Sequence, residues 1–200
     1  MTKIISVGKV KIGGGLPVKV QSMLKSKTTN IKACIKEINQ LINAGCEIIR
    51  IAIPNEKALN GFKKIRKKFP KAPLVADIHF DYKLAVNSIK LGADKIRINP
   101  GNIGEKWKIE EIIKTAKEYK VPIRIGVNKG SLPKNFKFPK NSKLLPLTDV
   151  ALYYIKEFEK MNFKDLAISA KSSDVLETVK AYRELSKNTN YPLHLGVTEA

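Results

Sequence analysis

Acidic residues, cysteines and aromatics are all scarce in this 200-residue chain, and each scarcity excludes something. The two cysteines, Cys34 and Cys46, cannot build a disulfide framework, and neither belongs to a Cys-x-x-Cys pair. Aromatics make up 7% of the chain with no interleaved basic–aromatic run, so there is no stacking platform for single-stranded nucleic acid. No apolar run approaches the ~20 residues that cross a bilayer. The opening Met-Thr-Lys-Ile-Ile-Ser-Val-Gly has too short an apolar stretch for a secretory signal. No Gly-x-Gly-x-x-Gly or P-loop follows any predicted strand, and no His-x-x-x-His spacing calls for a metal. The expectation is a soluble, cytoplasmic chain with no metal ligands of its own, no nucleic-acid partner and no membrane contact.

The shortage of acid leaves an excess of base. Eighteen carboxylates face 38 cations, a formal net charge of +20. Such a balance invites a basic RNA-binding reading, because each phosphate neutralised releases counterions. Against it, 33 of the cations are lysines spread from Lys3 to Lys187 and only five are arginines. A compositional drift towards Lys, Asn and Ile explains a solvated lysine surface without any partner. The remaining balance, 43% hydrophobic and 28% charged, is that of one globular domain with chain enough for a core.

Seven β-like segments recur, at 18–23, 47–53, 74–80, 95–100, 123–128, 166–171 and 193–198. Between them run helical periodicities. Ile31, Ile35, Ile38 and Ile42 follow a cap-like Thr29-Asn30 and end at Gly45. Further helices fit 55–69, 81–91, 109–120, 148–161 and 173–187, with Asn55, Asp81, Thr148 and Ser173 as N-caps. Residues 44–51 and 91–98 repeat one pattern: helix end, glycine, acidic residue, then a strand with a central arginine. Equivalent β/α units side by side predict an α/β fold of the TIM (β/α)8-barrel type rather than a doubly wound sheet. The domain reading is an N-terminal hairpin over 1–17 that plugs the lower end, then a barrel over 18–200. That barrel stops after seven strands, before an eighth.

Alternate strand residues face opposite sides, and sorting them by parity separates two surfaces. One is aliphatic and suits packing under helices. The other collects Gln21, Arg50, Asp77, His79, Arg97, Asn99, Arg124, Asn128, Lys171, His194 and Thr198. A barrel interior filled only for stability is mostly Val, Ile and Leu, and buried charges need partners. Three of the five arginines lie on this face, where a planar fork suits phosphate or carboxylate. With Lys171 they form four cations, which suits a substrate bearing two phosphoryl groups. Asp77 and Glu199 cannot neutralise them all.

Other features are weaker. The 99–104 loop, Asn-Pro-Gly-Asn-Ile-Gly, reads as a turn or as a source of N–H groups for an anion. His79 and His194 read as hydrogen-bond donors or proton carriers, and Glu199 as a candidate general acid or base. The segment 129–147, with five lysines, three prolines and no acid, reads as a lid or a solvated loop.

The segments 18–23, 75–82, 97–104, 123–128 and 194–200 resemble the signature motifs of the 4-hydroxy-3-methylbut-2-en-1-yl diphosphate synthases. The resemblance spans nearly the whole chain and departs at 24–27 and in the lysine-rich loop. It implies a reductive ring opening and dehydroxylation of 2-C-methyl-D-erythritol 2,4-cyclodiphosphate to 4-hydroxy-3-methylbut-2-enyl diphosphate. This is an iron–sulfur oxidoreductase step of non-mevalonate isoprenoid biosynthesis, fed by flavodoxin or ferredoxin. Arg50, Arg97, Arg124, Asn128, Lys171 and His194 match the family's diphosphate-holding positions, and Glu199 matches a glutamate that assists protonation or C–O cleavage. The resemblance also implies a [4Fe–4S] cluster whose ligands lie outside this chain, since neither Cys34 nor Cys46 matches one, and a homodimer for the full-length enzyme. The expectation is therefore a substrate-binding fragment, inactive alone. Two rivals stand beside it: a barrel for another phosphorylated or pterin-type substrate without a cluster, and the basic RNA-binding protein.

Overall fold

The computed structural model describes residues 1–133 and 135–198. A small antiparallel hairpin, β1 (Ile5–Val7) and β2 (Val10–Ile12), comes first. It is followed by β3 (Gln21–Met23), α1 (Ile31–Asn43), β4 (Ile48–Ala52), α2 (Glu56–Lys68), β5 (Leu74–Asp77) and α3 (Tyr82–Lys90). Then come β6 (Lys95–Ile98), the one-turn α4 (Pro100–Ile103), α5 (Lys106–Glu118), β7 (Ile123–Asn128), α6 (Pro146–Lys160), β8 (Leu166–Lys171) and α7 (Val175–Asn188). β3 to β8 form one parallel sheet in chain order, the arrangement that successive β/α units produce.

The sheet is curled. Lys95 on β6 places its Nζ 3.3 Å from Gln21 Oε1 on β3, although three strand spacings, about 14 Å, separate these strands in a flat sheet. Their inward side chains meet only because the strands bend round a common axis. The outward residues Ile49, Ile51, Ile53, Leu74, Ile96, Ile98, Ile123, Ile125 and Ile168 are buried in one core with the helices. Each fully buried side chain of this kind stabilises by about 1.5–3 kcal/mol. The parity reading of the strands thus holds. At the lower end, Val7 of the hairpin packs on the inward Ile48 and Val75.

Local chemistry sets the helix ends. Asn30, Asn55 and Asp81 accept hydrogen bonds from Ala33, Ala58 and Lys83 backbone N–H groups, satisfying donors that a helix start leaves open. Two predicted caps shift. The side chain at the start of α7 is Asp174, not Ser173. Thr148 lies inside the first turn of α6, where its hydroxyl donates to Glu184 (2.6 Å). The 44–51 and 91–98 repeat has a structural meaning. Gly45 and Gly92 take φ of 85° and 90°, closing α1 and α3 with paired bonds from Cys46 to Leu41 and from Ala93 to Ser88. The following acid then grips the preceding strand: Glu47 accepts from Val20 N–H (3.0 Å) and Asp94 from Leu74 N–H (2.8 Å).

The strand expectations need shortening at both edges. The first reaches only over Gln21–Met23, with Val18 and Val20 exposed. The seventh is a single parallel bridge, Ile168 to Leu193. His194 N–H still bonds Ile168 O (2.8 Å), and the chain rejoins β8 only where Thr198 N–H meets Ser172 O (3.3 Å). Between them Leu195 turns outward and Gly196 breaks the extended run at φ 149°. Phe80, placed on the aliphatic face by parity, is exposed because β5 ends at Asp77.

Candidate active site

One carboxylate organises the interior. Asp77, buried at the end of β5, forms an ion pair with Arg50 Nη2 (2.8 Å) on β4, accepts from Arg97 Nη1 (3.3 Å) on β6 and lies 3.2 Å from His79 Nε2. Burial by itself raises a carboxyl; here the His79 hydrogen bond and the Arg50 and Arg97 charges outweigh it and hold Asp77 well below the usual range. His79 Nε2 also lies 2.7 Å from Arg97 Nη1.

Register carries the cationic set onward. Arg97 pairs with Arg124 across β6 and β7, and Asn128 pairs with Lys171 across β7 and β8. Arg124 is enclosed, donating from Nη1 to Ser169 Oγ (2.8 Å), while its Nε and Nη2 have no partner among the described residues. The Nε atoms of Arg50 and Arg97 are orphaned in the same way. Burial, then Arg50 and Arg97, push Arg124 down, yet a guanidinium keeps its charge. Orphaned, charged donors in a low-dielectric interior are costly unless an anion meets them.

Lysines complete the wall. Lys171 is lowered to about 8 by burial, then by Arg124, Arg50 and Arg97. Lys95 lies wholly buried beside Gln21. His194, half-buried, is lowered by burial and by Arg124, Lys171, Lys95 and Arg50, so its ring is neutral. Gln21, Arg50, Lys95, Ala167, Lys171 and His194 all line one cavity of about 720 Å³, within the usual size of a small-molecule site. Arg97 and Arg124 lie deeper.

The remaining predicted residues have other settings. Asn99 is buried; its Oδ1 accepts from Gly101 N–H (3.2 Å) and its Nδ2 donates to Ser131 Oγ (2.9 Å). It caps α4 and tethers the segment after β7. The 99–104 stretch is therefore a helical turn whose Asn102, Ile103 and Gly104 N–H groups bond Asn99 and Pro100 carbonyls, not a free anion cradle. Thr198 is half-buried beside β8. Glu199 lies outside the described residues. The 129–147 segment is anchored at several points: Lys129 to Glu177 (2.9 Å), Ser142 to Asp149 (2.9 Å) and Phe136 edge-on to Tyr153.

Sequence reasoning passed over Lys95 and Ser169 as site residues. Both share parity with residues it chose, Arg97 and Lys171, so the signal was present. Among the described residues no group of three or more His, Cys, Asp or Glu side chains is placed to hold a metal ion. Cys34 is spent in the core with its Sγ towards Ser26 and Lys27 carbonyls, and Cys46 faces Ile48 O. These residues do not fit an iron–sulfur cluster.

Residues 2–200 match the family described as GcpE TIM-barrel domain. Curated relatives include the 4-hydroxy-3-methylbut-2-en-1-yl diphosphate synthases (flavodoxin) of Thermodesulfovibrio yellowstonii, 50% identical over 99% of this chain and 57% of that protein. Another is that of Bacillus subtilis, 47% identical over 100% of this chain and 53% of that protein. The chain spans about half the length of these relatives. Solved structures of similar fold include a dihydropteroate synthetase, TM-score 0.67 at 14% identity over 98% of this chain and 78% of that one. A truncated 3-deoxy-D-arabino-heptulosonate 7-phosphate synthase from Thermotoga maritima gives TM-score 0.68 at 14% identity, over 96% of this chain and 68% of that one. At such identities the likeness is one of architecture.

Proposed function

Because the chain belongs to the GcpE TIM-barrel domain family, we propose that it supplies the substrate-binding barrel of a 4-hydroxy-3-methylbut-2-en-1-yl diphosphate synthase. The observation that carries this reading is the charge imbalance of the interior. Arg50, Arg97, Arg124 and Lys171 surround Asp77, and even with Glu199 added the cations remain in excess. A cyclic diphosphate brings two negative charges and several acceptor oxygens, which answers both the excess and the orphaned guanidinium nitrogens.

The roles divide by position. Arg50, Arg97, Arg124 and Lys171 take the phosphoryl oxygens, with His194, Asn128, Gln21 and Thr198 orienting the sugar-derived part. Asp77 aims Arg50 and Arg97; His79 braces Arg97; Asn99 holds the adjoining backbone. Conversion of the dianionic ring to the trianionic product and water consumes two electrons and one proton. The added charge develops on the diphosphate, where preorganised guanidiniums stabilise it. Glu199 is the proposed proton donor to the departing oxygen. A [4Fe–4S] cluster held outside this chain would supply the redox chemistry, with a flavodoxin- or ferredoxin-type protein as electron donor, and the proposed working enzyme is a cytoplasmic homodimer.

Calorimetric titration with 2-C-methyl-D-erythritol 2,4-cyclodiphosphate tests the pocket. Arg124→Met is expected to weaken binding by about a hundredfold or more. Equal affinity in this variant, or no binding by the unaltered protein, overturns the reading.

A further inference from the structure

Resting on that anion-pocket reading, we propose that Lys95 is mostly uncharged in the empty barrel on the alkaline side of neutrality and takes up a proton from solvent when a dianionic diphosphate seats in the cavity. Binding and protonation of this amine are then a single coupled event.

The geometry around Lys95 is that of an amine with no counter-ion. It is 1% exposed and lines the cavity together with Arg50, Lys171 and His194. Its hydrogen-bond partner among the described residues is the Gln21 amide oxygen at 3.3 Å, which accepts equally from a neutral or a charged amine. On β5 its register partner is Val75. The buried carboxylate of the interior, Asp77, is taken up by Arg50, Arg97 and His79. The groups facing it from β4, β7, β8 and the 192–195 segment are Arg50, Arg124, Lys171 and the neutral ring of His194. Guanidiniums cannot shed a proton, so the amine is the member of this cluster that yields.

Burial first, then Arg124 and Arg50, bring Lys95 down to about 7. An anion placed among those guanidiniums cancels their repulsion and restores the charged form. The ligand itself stays out of the count, because each phosphorus of the cyclic diphosphate bears one strongly acidic oxygen and no group titrating near neutrality. Proton uptake on binding therefore reports the protein.

The test is calorimetric titration with the cyclic diphosphate at about pH 8, in buffers of different ionisation enthalpy; the slope against that enthalpy counts protons. The unaltered protein is expected to take up between about half and one and a half protons, Lys171 at about 8 contributing the smaller share. Lys95→Met is expected to lose most of the uptake, and Lys171→Met to keep most of it. Affinity is expected to be flat below about pH 6 and to fall above pH 7, by up to about thirtyfold per unit near pH 8, where both amines contribute. Binding with no proton uptake, or an uptake unchanged in Lys95→Met, overturns the inference while leaving the pocket standing. Should that variant fail to fold, a pH-independent affinity in the unaltered protein overturns it equally. Absence of binding overturns both readings.

Discussion

At Asp77 one side chain holds three neighbours, and its loss has a calculable sign. Asp77→Asn leaves Arg50 and Arg97 buried without a counter-charge; breaking such a set costs about 3–5 kcal/mol, readable as a lower urea midpoint. Because Asp77 is held below its unfolded value near 4, its stabilisation is complete at neutral pH and is lost as pH falls through the acid range. Lys95 works the other way. Its folded form releases a proton at about 7, while the unfolded chain keeps it to about 10.4. Stability of the empty barrel therefore rises with pH between these values. Lys95→Met is expected to flatten that rise and to stabilise the empty fold by about 1–4 kcal/mol, measured by urea unfolding at neutral and alkaline pH. A residue that weakens the fold and gains a use when ligand arrives is a common feature of binding sites.

Among the elements, β7 shows how a strand makes room for its neighbour. Gly126 faces inward between Arg124 and Asn128, and a Cβ there would lie 2.3 Å from Arg97 Nε. Gly126→Ala is expected to displace Arg97 from Asp77 and weaken diphosphate binding at least tenfold, with retained far-UV dichroism separating this from unfolding. The helix ends offer a milder test. Lys120 and Asn162 occupy the positions after α5 and α6 that Gly45 and Gly92 fill after α1 and α3, with φ of 54° each. Lys120→Gly is expected to raise stability by about 0.5–1 kcal/mol, seen as a higher thermal midpoint. Much of this was legible in the sequence. Period-two alternation separated Arg50, Arg97 and Arg124 from the isoleucines because strand geometry is local. Asn55 and Asp81 announced their helices for the same reason. What escaped depended on distant partners. Strand 193–198 shrinks to one bridge because the chain leaves β8 at Leu195 and Gly196, a break its alternating pattern does not display. Parity with Arg97 already put Lys95 on the inward face, but its lack of a counter-ion shows only once the curl of the sheet encloses it with Gln21.

For the molecule as a whole, the sheet is most secure in its middle. β4 to β7 each have strands on both sides and a buried outer face, whereas β3 and the 193–198 run lie at the ends of the sheet. Hydrogen exchange is expected to be slowest across β4–β7, and faster by orders of magnitude at Gln21–Met23 and 193–198; uniform protection would contradict the edge assignment. Concentrating Arg50, Arg97, Arg124 and Lys171 round one carboxylate also has a kinetic side. Field lines from such a cluster leave through the low-dielectric wall by way of the cavity, drawing small anions inward before any contact forms. Capture of a doubly charged ligand should therefore slow steeply as ionic strength rises, while its departure, governed by enclosed contacts, changes little. The interior thus discriminates by speed of arrival as well as by fit, admitting dianions ahead of neutral molecules of the same size.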